Sequence, residues 1–114
     1  NLIFGDGSIP WARSGEIKKY RRTLVKLSNM IQPITIVSGH GEIVSGEMVT
    51  RYIEYLSQTI KIAERAVVDE IPMDDLVAGA LVPSAYPIRP ALEKLMTGFH
   101  RWNLRVAYEE ALTD

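Results

Sequence analysis

Three stretches of this chain carry apolar residues at alternating steps of three and four, the spacing that lines one face of an α-helix. In the first, Ile17, Tyr20, Leu24, Leu27 and Ile31 predict a helix from about residue 15 to 31, which Pro33 ends. In the second, Val49, Tyr52, Ile53, Leu56, Ile60, Ala63 and Val67 predict a helix running to about Asp69, before Pro72 interrupts it. In the third, Leu92, Leu95, Phe99, Trp102 and Val106 predict the buried stripe of a last helix. Pro90 suits its first turn, where a missing N–H would be unpaired anyway. Helix should therefore clearly exceed strand.

The first two helices share a start signal, Ser14-Gly15-Glu16 and Ser45-Gly46-Glu47. In each the serine can cap the helix, and the glutamate complements the positive end of its dipole. Lys18, Lys19, Arg21, Arg22 and Lys26 fall mostly opposite the apolar stripe of the first helix, as a solvated face would. Residues 72–90 hold Pro72, Pro83, Pro87 and Pro90, which predicts an irregular connection with one short helix over 73–80. Its Leu81, Val82, Tyr86 and Ile88 suit either a wall over a pocket or the packing of a connection.

Two short apolar runs lie outside this pattern, at 2–4 and at 34–37. Their length and composition suit strands buried on both faces. Each leads to a polar side chain flanked by glycines, Gly5-Asp6-Gly7 and Gly39-His40-Gly41. A helix between two parallel strands would bring both strand ends to one rim, where open α/β sheets bind ligands. A carboxylate and an imidazole meeting there suit a divalent metal such as zinc. Taken singly, Asp6 also reads as an aspartate capping its own turn, and His40 as a histidine that a tight turn happens to carry.

Composition narrows the possibilities. At 114 residues the chain suits one domain, with 46% hydrophobic and 24% charged residues. Thirteen Lys and Arg against 14 Asp and Glu leave a net charge of −1, which gives no reason to expect nucleic acid or an anionic membrane. No cysteine is present, so disulfides and thiolate chemistry are excluded, and any metal must be held by His, Asp or Glu. No apolar stretch reaches the ~20 residues that cross a bilayer, and no basic-then-apolar leader opens the sequence, so a cytoplasmic chain is expected.

The motifs F-G-D-G at 4–7 and I-V-S-G-H-G at 36–41, each followed by a helix, resemble the second half of the metallo-β-lactamase superfamily. The tail His100-Arg101-Trp102-Asn103 with Arg105, Tyr108 and Glu109 is similar to the ending of its quinoprotein-relay or Sox-like hydrolases. The resemblance implies an α/β fold, the carboxyl-terminal half of an αββα sandwich, as a single partial domain over 1–114 with a helical tail over 72–114. It also implies that Asp6 bridges two metal ions, zinc with iron or manganese as alternatives, and that His40 ligates the second. In a complete enzyme a metal-bound hydroxide would attack an ester, thioester, lactam or phosphoester of a small-molecule substrate.

The family's paired-histidine cluster is missing here, and His100 is not a family ligand, so it reads as a surface or packing residue. Two ligands hold zinc poorly, so this length alone is expected to be inactive. The opening N-L-I-F, without methionine, suggests a fragment that needs its amino-terminal half or a second copy as partner, and hence a homo-oligomer. The alternative from the same residues is a non-enzymatic helical interaction module in which the glycine elbows are only turns.

Overall fold

The computed structural model describes residues 9–12, 16–30, 36–37, 43–44, 46–83, 86, 88 and 90–113. They form helix α1 (Ile17–Met30), strands β1 (Ile36–Val37) and β2 (Ile43–Val44), helix α2 (Gly46–Val68), a short helix α3 (Met73–Val77) and helix α4 (Glu93–Thr113), which a 3-10 turn at Pro90–Leu92 leads into. The three long helices each touch the other two, and α3 leans on α4. The core therefore lies between helices.

This corrects the expected α/β sandwich. The described β-structure consists of two paired residues on each strand, Ile36 opposite Val44 and Val37 opposite Ile43, and the pairing is antiparallel. A parallel sheet needs a crossover between its strands, whereas β1 pairs with the segment that directly follows it. The run at 2–4 lies outside the described residues. Strands of two residues offer almost no face to cover, so the helical stripes bury against one another instead.

In α1 the predicted stripe is the observed one as far as Leu27, and Ile31 lies outside the described residues. Ile17, Tyr20 and Leu24 are buried and Leu27 packs against the core. Its start draws on a distant residue that the local signal did not name. Glu110, from α4, accepts the Ile17 backbone N–H through Oε2 at 2.7 Å, with the Lys18 N–H at 3.4 Å. A carboxylate there satisfies donors that a helix leaves unpaired and complements the dipole. Glu16, the expected acid, instead pairs with Lys19 at 3.6 Å on the surface. Ser14 and Ser45 lie outside the described residues.

Helix α2 buries a wider arc than one stripe: Tyr55, Thr59 and Ala66 join Val49, Tyr52, Leu56, Ile60 and Ala63. A helix that touches two others must bury two adjacent faces. It ends in a Schellman turn. Ile71 N–H reaches the Ala66 carbonyl at 2.9 Å and Glu70 N–H the Val67 carbonyl at 3.2 Å, with Glu70 left-handed at φ 59°. The connection that follows is packing. Val82, Tyr86 and Ile88 lie against the core, while Leu81 is exposed. Its helix stops at Val77, short of the predicted residue 80, before Gly79 turns left-handed at φ 76°.

Candidate functional site

Among the described residues helix α4 holds two of the buried polar side chains, His100 and Asn103, and α2 holds another, Thr59. Met96, His100, Asn103 and Ala107 recur at steps of four, three and four, and all four are buried. Of the stripe predicted to be buried, Val106 is buried and Leu92 and Phe99 pack against the core, but Leu95 is 54% exposed and Trp102 45% exposed, whereas Asn103 is fully enclosed. Burying an amide costs several kcal/mol unless its hydrogen bonds are replaced. Here they are.

Asn103 Oδ1 accepts the Ala12 N–H at 2.7 Å, and Asn103 Nδ2 donates to the Pro10 carbonyl at 2.7 Å. A backbone N–H only donates and a carbonyl only accepts, so these two bonds fix which way the amide faces. The remaining Asn103 N–H reaches the Tyr55 hydroxyl oxygen at 3.2 Å. The same hydroxyl meets Nδ1 of His100. Thr59 also hydrogen-bonds the Tyr55 hydroxyl.

Burial keeps both groups neutral near pH 7. Burial, helped by the neighbouring Arg101 charge, lowers the His100 pKa from 6.5 to about 4. Burial raises the Tyr55 phenol well above its ordinary value, against the opposing hydrogen bonds of Asn103 and Thr59. A histidine and a tyrosine in contact invite a catalytic reading. Their exposures of 3% and 1% oppose it, as does the hydrogen bond that joins Nδ1 to the Tyr55 hydroxyl. No reactant reaches this pair without opening the core, so the chain of bonds is structural.

What it secures is the segment 9–12. Besides the two Asn103 bonds, Ile9 N–H points at Met96 Sδ at 3.3 Å and Trp102 Nε1 donates to the Ala12 carbonyl at 2.8 Å. Ile9, Pro10 and Ala12 are buried. Trp11, between them, is half-buried. Its ring stacks on Phe99 at 4.5 Å and 4°, and stands edge-on to Trp102 at 6.5 Å. These rings line an open groove of about 640 Å³ together with Lys94, Leu95 and Gly98.

Asp6 and His40, the predicted metal ligands, lie outside the described residues. Among the described residues no group of three or more His, Asp or Glu side chains could hold a metal ion. The expected metallo-β-lactamase fold is corrected, since the described residues build helices where that fold needs a sheet. His100 is the packing residue of its two readings. Sequence reasoning passed over Asn103 and Tyr55. The signal for Asn103 was the four-three-four spacing it shares with Met96, His100 and Ala107.

Fold and polar cluster together define a small helical bundle whose buried polar groups serve its own architecture. No protein-family model matches the chain, and no curated protein matches it. Nothing links it to the metallo-β-lactamase superfamily. Among the described residues no helix is long and apolar enough to cross a membrane.

Proposed function

We propose that this chain is a non-enzymatic helical interaction module, whose contact surface is the outer ridge of α4. One observation carries the reading: α4 turns His100 and Asn103 inward onto hydrogen-bond partners and leaves Leu95 and Trp102 partly exposed beside Trp11 and Phe99. Aromatic side chains around an open groove are the residues that dominate binding energy at protein contacts. The buried His100–Tyr55 pair, the obvious source of acid–base chemistry, is occupied by the fold itself.

The discriminating experiment is zinc calorimetry on the chain and on a variant carrying Asp6→Ala and His40→Ala together. The module reading expects the same weak, nonsaturating heat from both proteins and the same unfolding midpoint. Stoichiometric zinc uptake by the parent chain, abolished in the double variant, would overturn it in favour of a metal centre.

A further inference from the structure

The cationic face of α1 is not uniformly solvated. Lys18 and Arg21 are half-buried, and with Arg22 they line a groove of about 410 Å³ against α2, which contributes Ser57, Lys61 and Glu64. The buried Ile60 lies at its base. A chain of net charge −1 thus gathers four cations around one carboxylate. Lys18 reaches Glu64 at 3.7 Å. Among the described residues no acidic side chain pairs with Arg21, Arg22 or Lys61.

Arg21 is held in place. Its Nε donates to Ser57 Oγ at 2.6 Å, and Ser57 is itself oriented because its hydroxyl donates to the Ile53 carbonyl at 2.8 Å. With Nε engaged, the guanidinium plane is set and its two terminal amino groups, four N–H donors, remain for something else. A fixed, planar fork of that kind matches the paired oxygens of a phosphate or carboxylate. Like charges brought together in one cleft repel unless an anion joins them. Three cations without an acidic partner exceed what one carboxylate would neutralise, and they suit a compact group carrying two or more negative charges. The groove's volume is that of a small-molecule site.

We propose that the groove between α1 and α2 binds a multiply charged phosphate group, a phosphate monoester or diphosphate, with Arg21 as the fork that reads its oxygens and Arg22 and Lys61 as flanking charges. Ser57 is a positioning residue: it touches Arg21 and sets its plane. This site lies apart from the α4 ridge and does not depend on it.

The test is titration of the folded chain with inorganic pyrophosphate, followed by calorimetry and by amide NMR shifts. Saturable one-to-one binding is expected, with shifts centred on residues around Arg21 and Ser57. Ser57→Ala, which leaves the charge untouched, should weaken binding about threefold or more by freeing the Arg21 side chain, and Arg21→Lys about fivefold or more by removing the fork. Lys26→Ala, on α1 away from the groove, should bind as the parent does. Each variant's thermal unfolding is read alongside, so that a loss of fold is not taken for a loss of site. No saturation by about 10 mM pyrophosphate, enough to fill a site of millimolar affinity, overturns the proposal. So does equal binding by the parent chain, Ser57→Ala and Arg21→Lys, which would show charge attraction without a built site.

Discussion

Each side of α4 carries two residues of the kind a helix usually puts on the other, the inner pair set among the apolar Met96, Leu104, Val106 and Ala107. Inward go His100 and Asn103, and outward go Leu95 and Trp102. The inner side is specific because its polar groups bond to partners at fixed positions, from the Ala12 N–H through Asn103 and Tyr55 to His100. The outer side is adhesive, with rings and a shallow groove but few directional bonds. Buried apolar area stabilises any packing of about the right shape, whereas a buried amide stabilises only the packing that satisfies it. The inner face of α4 therefore selects the one docking of segment 9–12 that the structure holds.

The largest expected effect is on the inner side. Asn103→Leu is close to isosteric, but it strands the buried Ala12 N–H and Pro10 carbonyl, at about 1–3 kcal/mol for each group. A loss of roughly 3–5 kcal/mol in urea unfolding is expected, a large part of a small domain's total stability. A loss below about 1 kcal/mol would mean that the amide does not decide how segment 9–12 docks.

Next comes pH. The folded-state pKa of His100, about 4, lies below its ordinary 6.5. As the solution is acidified, the unfolded chain takes up this proton first, so stability is full above about pH 6.5, falls as pH drops toward 4 and levels off below that. The shift corresponds to roughly 3 kcal/mol at 1.36 kcal/mol per pKa unit. Carboxylates titrate over part of the same range, so the measurement is a difference: the unfolding free energy of the parent chain against His100→Met, from pH 7.5 to 4. The parent should show the steeper loss. Parallel curves would place the His100 ring in water.

The smallest effect belongs to the outer side. Leu95→Gln removes an apolar side chain that is already half in solvent, so the unfolding free energy should stay within about 0.5 kcal/mol of the parent. The same change should lower the chain's affinity for any protein that docks on the ridge. A loss of 2 kcal/mol or more in stability, a size expected for core truncation at roughly 2–5 kcal/mol, would make Leu95 part of the core and erase the contrast between the two faces.

Particular residues show how far the sequence could be read. The stripes of α1 and most of α2 follow from spacing, because each helix meets the core through one dominant apolar face and periodicity reports that directly. Tyr55, Thr59 and Ala66 escaped it because α2 is buried on a second face, and a second face blurs the period. In α4 the apolar spacing named part of the buried face, Val106 with Leu92 and Phe99 at its edge, but also Leu95 and Trp102, which face solvent. Its apolar ridge is real, but hydrophobicity alone says which residues lie together and not which group of them turns inward. The glycine-flanked Asp6 and His40 fall outside the described residues, and the β1–β2 pair does not supply the parallel geometry their meeting required.

The cap of α1 shows the same boundary at one atom. A local rule names Ser14 and Glu16 as its helix-start residues, whereas the described N–H acceptor is Glu110, 93 positions from Ile17 in the chain. By itself the sequence determined where the three long helices run, and that neither cysteine chemistry nor a strongly basic surface is available. Only the tertiary structure decided which face of α4 is inside, because the cost of burying an amide or an imidazole is set by partners distant in sequence. Those partners exist only once the chain has closed around them.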